Sequence, residues 1–423
     1  LDLTLHGLAM SIAPEAPDGV EMVADEGHTL VLRAARAGTV LVRLDGEDVA
    51  RLPVSEANAP VRLPSRFLTG EPSRLTVWDT TGTFCLFETW VLPPRLLTPF
   101  EVLSKEAGPP FDRALLPQSR ARFDGLRDHL AAGSPPEVIA QLGHAIDTLE
   151  AGYARVKLRP LAFSAVESPD VSVVIPAHNK VEVTYSCLCA LLLAWNKASF
   201  EVILVDDAST DETAEIETVV SGITVVRNEE AQRFIRACNA GVAASRGRYV
   251  VLLNNDTEPT TRWLDELIAA MARFPKAGLV GSKLIFPDGR LQDAGGIIWG
   301  TGNPWNYGSR QNPHDPRFTY ARQADYLSGA AMLTTRAIWD EVGGLSSYLE
   351  PMYFEDTDFA FKVREAGYQT WYVPSSVVYH YEGMTSGTST ASGFKRFQEV
   401  NRPKFKRRWA RAFTGFGPEG VKP

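Results

Sequence analysis

VVLLNNDTEP, residues 250–259, decides the fold class of this chain. An apolar run that stops abruptly at Asn254, Asn255 and Asp256 reads as a buried parallel strand delivering a carboxylate to its C-terminal end. In open α/β sheets that edge is where ligands bind. One instance is weak, because many strands end in Asp merely to begin a turn. FEVILVDDAST, residues 200–210, repeats the pattern with Asp206 and Asp207, and is followed by Ser209 and Glu212 at the spacing of a helix capping box. Two strands thus bring acidic residues to one edge, where they can hold a metal and a polar ligand.

Around these two stretches the chain alternates strand and helix patterns from Val171 onward. VSVVIP, FEVILV, ITVVRN and RYVVLLN are separated by helices ending near Trp195, Val220 and Ser245, an order that predicts a mostly parallel sheet with helices on both faces. Residues 1–95 differ. Short alternating runs such as HTLVLRA and TVLVRLDGEDVARL, with turn signals at Asp45-Gly46 and Thr81-Gly82, predict a small antiparallel β-domain. Residues 96–170 are punctuated by proline and read as a helical connector, with Ile139, Leu142, Ile146, Leu149 and Tyr153 on one stripe. The α/β domain extends over 171–412, and 413–423 form a tail.

Length and composition agree with that division. At 423 residues, 44% apolar and 10% aromatic, the chain has ample material for at least two cores. No apolar run reaches the ~18 residues of a membrane span. The first residues, LDLTLHGLAMSIAPE, lack a basic n-region and an initiating Met, which reads as a piece of a longer chain rather than a signal peptide. Cys85, Cys187, Cys189 and Cys238 match no zinc spacing and read as reduced and structural, as in a cytosolic protein. A net charge of −8 argues against nucleic-acid binding.

The charge is uneven. Lys395, Arg396, Arg402, Lys404, Lys406, Arg407, Arg408 and Arg411 face only Glu399, with Phe394, Phe397, Phe405, Trp409 and Phe413 interleaved. Two readings are open: peripheral contact with an anionic membrane, or a terminal helix that docks its aromatics and solvates its basic face.

Neither a G-x-G-x-x-G after the first strand nor a G-x-x-x-x-G-K-[ST] occurs, so phosphate binding must come from elsewhere. VSVVIPAHN, VDDASTDET, LLNNDTEP, DYLSGAAML, GGL, FEDTDFAFKVREAGY and VVYHYEGMTSGTS resemble, in order and spacing, the family 2 glycosyltransferases of GT-A fold. The likeness covers about residues 170–412 and is nearest the bacterial branch that builds O-antigen and other surface polysaccharides. Residues 1 to about 165 resemble no family.

The resemblance implies roles. Pro176, Ala177, His178 and Asn179 line the nucleotide, and Asp207 hydrogen-bonds its base. Asp206 either joins it or caps the next helix. Asn239 lies near the nucleotide or packs its helix. LNND stands where the family has a D-x-D metal motif, so Asp256 coordinates Mn²⁺ or Mg²⁺, which stabilises charge on the departing diphosphate. Asn254 departs from that motif, because an amide oxygen ligates only as a neutral group. Asn255 sits beside the donor sugar or ribose, and His380 is a further metal ligand.

Transfer also needs a base for the acceptor hydroxyl. The resemblance gives this role to Asp356, with Glu355 as neighbour and rival, while Asp358 can equally be a residue of the first helical turn without chemistry. Segment 287–330 is rich in Gly, Asn, Trp and Tyr, so Trp299, Trp305, Asn306 and Tyr307 are candidates for sugar recognition or for packing a long loop. Asp325 to Gly329 lie beneath the donor sugar, with Gly329 allowing close approach.

The expected function is metal-dependent, inverting transfer of a sugar from a nucleotide-diphosphate donor, UDP-linked before dTDP-linked, to a bacterial surface glycan or lipid-linked acceptor. The expected location is the cytoplasm or the inner face of the cell membrane. Two alternatives stand beside it: a catalytically inactive homologue serving as a glycan-binding module, and a sugar-nucleotidyltransferase. The latter class needs a G-x-G-x-R loop, and PAHNKVE is not one.

Overall fold

The computed structural model describes residues 10–11, 20–25, 29–34, 37–44, 47–57, 60–64, 73–83, 85–91, 117–131, 136–153, 156–287, 289–382 and 394–419. The chain divides into two compact units, Leu1–Gly125 and Leu126–Pro423.

The first unit is antiparallel. Its strands are β1 (Met10–Ser11), β2 (Val20–Asp25), β3 (Thr29–Ala34), β4 (Gly38–Leu44), β5 (Glu47–Val54), β6 (Pro60–Pro64), β7 (Ser73–Trp78) and β8 (Cys85–Val91). They form one sheet in the order β1-β8-β7-β4-β5 and another in the order β2-β3-β6. The predicted turn at Thr81-Gly82 is present, with Gly82, at φ 72, closing onto the Asp79 carbonyl; Leu44 pairs with Glu47, while the Asp45-Gly46 turn signal lies outside the described residues. Val42 and Val77 are register partners and fully buried, which gives the unit a centre of its own.

Helix α1 (Pro117–Ala131) contains the division point. In the second unit, α2 (Pro136–Ala151) buries Leu142, Ile146 and Leu149, with Tyr153 just beyond its end, as the stripe predicts. Ile139 is the exception at 40% exposure, one turn from the helix start. The helix packs on α3 (Val181–Leu192), where His144 Nε2 lies 3.0 Å from the Tyr185 hydroxyl.

The unit continues through β9 (Leu161–Ala162), β10 (Val171–Ala177), β11 (Phe200–Asp206), β12 (Val220–Ser221), β13 (Thr224–Arg227), α4 (Arg233–Ala243), β14 (Tyr249–Leu253), β15 (Thr257–Pro259) and α5 (Trp263–Arg273). Then follow β16 (Ala277–Ile285), β17 (Leu291–Asp293), β18 (Gly296–Ile298), β19 (Pro304–Asn306), β20 (Arg322–Gln323), β21 (Ala331–Thr335), α6 (Arg336–Val342), α7 (Glu355–Glu365), β22 (Gln369–His380) and α8 (Phe397–Trp409).

The central sheet runs β13-β11-β10-β14-β21-β16-β22-β15. Its first four strands are parallel, as their apolar runs predict, whereas β21 is antiparallel to both β14 and β16. The sheet is therefore mixed beyond β14. Strand order reverses at β10, which has β11 on one side and the later β14 on the other, and a crevice opens at such a switch point. On one face Val174, Ile203, Val205, Val250 and Leu252 join residues of α4, α7 and α8 in a single cluster. Helix α4 lies so close that a Cβ on Gly241 would meet Val174 Cγ1 at 2.4 Å.

One expectation needs correction, and one open choice is decided. The segment after β11 is a 3₁₀ helix, Glu212–Thr218, capped by Asp211, whose side chain accepts from Thr213 N. Ser209 makes no capping box because its hydroxyl accepts instead from Asn179 N at 2.7 Å. The aromatic C-terminal helix is the docked one: Phe405 and Trp409, at i and i+4 of α8, and Phe413 of the 3₁₀ turn Ala412–Gly415 that follows are buried around Phe361 of α7. That spacing holds one helical face against the core.

Candidate functional site

A cleft opens at the C-terminal edge of the parallel strands. Pro176, Ala177 and His178 come from the end of β10, Asp207 from the end of β11, and Asn254, Asn255 and Asp256 from the end of β14. Arg233, Phe234 and Ala237 of α4 form another wall together with Met352. Both acid-ended strands thus reach the same cavity, because the register aligns Ala177 with Asp206 and Val174 with Leu252.

Asp207 organises one end. Its Oδ1 accepts from Asn228 Nδ2 and Gln232 N, both at 2.7 Å, and its Oδ2 accepts from Arg233 N at 2.8 Å, so the carboxylate fixes the start of α4. His178 donates from Nδ1 to the Asp207 carbonyl at 2.7 Å, which fixes its tautomer and leaves Nε2 as the acceptor. Asp206 does not join them: its Oδ1 accepts from Ser209 N, and Arg227 lies 3.6 Å away. It is a turn residue.

Beyond β14 the backbone sets a second pair. β15 runs antiparallel to β22 with Thr257 opposite His380, and Tyr381 N donates to the Asp256 carbonyl. Asp256 Oδ1 consequently lies 3.3 Å from His380 Nε2. His380 Nδ1 is 2.9 Å from Gln292 Oε1, an atom that can only accept, so Nδ1 carries a proton and Nε2 is the ring nitrogen turned toward Asp256. Gln292 is oriented in turn, its Nε2 donating to Glu382, whose other oxygen accepts from Lys395. Burial by itself pulls the His380 pKa down, but Asp256, Glu382 and Asp293 outweigh it and hold the value above the ordinary one.

The donor set suits a hard divalent cation. A carboxylate, an imidazole whose Nε2 faces it, and the buried Asn254 Oδ1, which has no hydrogen-bond partner, leave several positions for phosphate oxygens and water, as Mn²⁺ and Mg²⁺ require. Among the described residues no three His, Cys, Asp or Glu side chains gather as a metal site, so protein ligands alone do not complete one. Asn255 turns its amide to Thr184 Oγ1 at 3.0 Å, tying the loop to α3.

The acidic pair opens α7. Tyr353 and Phe354 both have left-handed backbone, φ 76 and 69, which sets Glu355 and Asp356 into the first turn. Two such residues in a row are a strained entry of the kind found at functional sites. Asp356 Oδ2 accepts from Gly329 N at 3.1 Å and Oδ1 from Thr357 N at 2.6 Å. Glu355 is buried with Oε2 unpartnered. Burial, and then repulsion from Asp356, push the Glu355 pKa up to about 8, while burial also raises Asp356 against the hydrogen bonds that favour its charge. Both carboxyls are thus raised, and the hydrogen bonds to Asp356 favour charge on that member. Gly329 stands between them and the cleft: a Cβ there would lie 3.5 Å from Asp356 Cβ and 3.8 Å from the ring of Phe234.

Four candidate residues make loop or packing contacts, which for Asn239, Asp358 and Trp305 is the alternative the sequence left open. Asn179, at φ 55, spends its amide oxygen on Thr210 N and is a loop tie. Asn239 bonds both backbone groups of Leu345, a packing role. Asp358 is fully buried and accepts from Ser346, Tyr348 and Trp409, so it anchors α8. Trp305 stacks with Trp299 at 5.9 Å on the β18-β19 hairpin and is not among the residues lining the cleft. Arg233, Phe234, Gln292 and Met352 carry no motif that singles them out. Asn401 of α8 braces the loop before the acidic pair, its Nδ2 reaching the carbonyls of Met352 and Tyr353 at 2.9 and 3.2 Å.

Residues 172–342 match the family model described as glycosyl transferase family 2. The chain is 34% identical over 255 residues to an uncharacterized protein, y4gI, of Sinorhizobium fredii, covering 57% of this chain and 28% of that one. It is 28% identical over 247 residues to an N-acetylglucosaminyl-diphospho-decaprenol L-rhamnosyltransferase of Mycobacterium tuberculosis, covering 50% of this chain and 78% of that one. Among solved structures, GalNAc-T7 with UDP, GalNAc and Mn²⁺ aligns at a TM-score of 0.46 and 18% identity, over 67% of this chain and 58% of that one.

Proposed function

From the premise that residues 172–342 are a family 2 glycosyl transferase domain, we propose that this chain moves a sugar from a nucleotide diphosphate to the hydroxyl of a glycan or lipid-linked acceptor. One observation carries the reading. The ends of β10, β11 and β14 meet in one cleft, and the ionisable pair Glu355 and Asp356 adjoins it through Gly329 and Phe234.

In this reading Pro176 to His178 and Asp207 hold the nucleoside end of the donor, UDP-linked or dTDP-linked. Asp256, His380 and Asn254 would hold Mn²⁺ or Mg²⁺, which when bound neutralises charge on the diphosphate. Asp356 takes the proton from the acceptor hydroxyl as its oxygen attacks the anomeric carbon. The bond from that carbon to the diphosphate oxygen breaks, and its electron pair leaves with the diphosphate. A single displacement of this kind inverts the configuration. Glu355, still protonated, is placed to donate a hydrogen bond to a sugar oxygen.

The rhamnosyltransferase relative, by its name, acts on a polyprenyl-diphosphate-linked sugar, which supports a lipid-linked acceptor and a surface polysaccharide as product. Among the described residues no helix is long and apolar enough to cross a membrane. Contact with a lipid surface would therefore fall to Lys406, Arg407 and Arg411, since the aromatic residues beside them face inward. A second reading, a silent homologue that binds donor without transfer, draws on Asn254 in place of a second carboxylate. Screening UDP-, dTDP- and GDP-sugars for hydrolysis and transfer with Mn²⁺ present tests both. Diphosphate release from one donor class is expected, and tight binding without turnover across the panel would favour the silent homologue.

A further inference from the structure

The cleft has an unfavourable charge balance for its proposed ligand. Asp207 and Asp256 line it, Asp356 adjoins it, and a nucleoside diphosphate is itself anionic. Among the lining residues Arg233 is the only Lys or Arg. Its backbone is also unusual, with φ 66 at the first residue of α4. Left-handed conformation is unfavourable for an ordinary residue, and glycine would adopt it freely. The main chain is held there by Asp207, which accepts from Arg233 N at 2.8 Å and from Gln232 N at 2.7 Å. A strained position, locked by a buried carboxylate and setting an arginine on the wall of an acidic cleft, points to a role for that side chain.

We infer that Arg233 is a donor-binding residue whose guanidinium engages the diphosphate of the nucleotide sugar. The inference rests on the donor reading of the cleft. A guanidinium offers a planar fork of donors that matches two phosphate oxygens at once, and it stays charged at every working pH. It acts whether or not a divalent cation is present, so it supplies diphosphate affinity that survives chelation.

The test is calorimetric titration of the full chain with UDP, dTDP, GDP and the matching nucleosides, in EDTA and in Mn²⁺, for the parent, Arg233→Gly and Arg233→Lys. For the diphosphate that the parent binds best, Arg233→Gly is expected to raise Kd tenfold or more in both conditions, as for loss of a charge-assisted pair. Its nucleoside affinity and melting temperature should be unchanged or higher, because glycine relieves the backbone. Arg233→Lys, which keeps the charge without the fork, should fall between the two. Parental diphosphate affinity in Arg233→Gly, or an equal loss for the nucleoside, overturns the assignment while leaving the donor reading in place. A parent that binds none of the diphosphates overturns the donor reading and this inference with it.

Discussion

Gln292 holds the imidazole of His380: its Oε1 lies 2.9 Å from Nδ1, and the opposite nitrogen of the ring lies 3.3 Å from Asp256. Partners of this kind fix the tautomer that a metal ligand needs, and their loss costs roughly 10–100-fold in metal affinity. Gln292→Met keeps the volume and removes the acceptor. Mn²⁺ affinity, read by the EPR signal of the free ion, should fall within that range in a folded variant. Undiminished affinity would show that His380 is oriented by its strand alone or lies outside the metal site.

The metal site and the base separate by substitution. Asp256→Ala removes the one anionic group among Asn254, Asp256 and His380, so Mn²⁺-dependent UDP binding should be lost. Asp356→Asn preserves shape and the neighbourhood of Gly329 but removes the proton acceptor. It should bind donor nearly as the parent does, while transfer falls by roughly 10²–10⁴-fold. Parental transfer by Asp356→Asn with an inactive Glu355→Gln would move the base by one residue.

Buried Glu355 also makes stability depend on pH. Its folded pKa is raised from 4.5 to about 8, so the native state keeps a proton that the unfolded chain releases. The contribution of the protonated carboxyl is complete below about pH 4.5 and is lost as pH rises to about 8. Within that window one proton changes stability by at most about 1.4 kcal/mol per pH unit. Asp293, raised to about 7 mainly by burial, acts in the same direction. Melting temperatures in EDTA should therefore fall more steeply between pH 6 and 8, to order of magnitude, for the parent than for Glu355→Gln. Parallel curves would mean that Glu355 is ionised in the native state.

The ends of β10, β11 and β14 were legible because one signal gives both the strand and its edge: an apolar run stopped by polar residues at Asp206 and at Asn254. Direction was not. Periodicity reports which face a residue occupies, not which strand lies beside it, so the antiparallel β21 between β14 and β16 carries no mark in the sequence. The motif for Asp356 located the acidic pair, yet nothing in EEAQRF marks Arg233 as a wall of the cleft or in RLQDAGG marks Gln292 as the partner of His380. Both depend on contacts between segments far apart in the chain. The i, i+4, i+8 spacing of Phe405, Trp409 and Phe413 stands in the sequence, but spacing shows a stripe and not what covers it, so docking and a lipid surface both stayed open until the contacts with Phe361 were seen.

The docked helix makes the last prediction two-sided. Trp409 is buried and donates from Nε1 to Asp358 at 2.8 Å, and Asp358 lies in the helix that begins with the acidic pair. Trp409→Ala should cost about 3–5 kcal/mol, as for other large aromatics removed from cores, and should loosen the start of α7. Replacing Lys406, Arg407 and Arg411 with Gln touches no such contact and should leave the melting temperature nearly unchanged. If the basic segment rests on anionic lipid, that triple variant loses vesicle affinity by up to about 1 kcal/mol per residue, and salt weakens the parent in the same way. Cosedimentation with phosphatidylglycerol vesicles at two salt concentrations reads the effect. Equal sedimentation of parent and triple variant would leave α8 as a structural brace and place any membrane contact elsewhere.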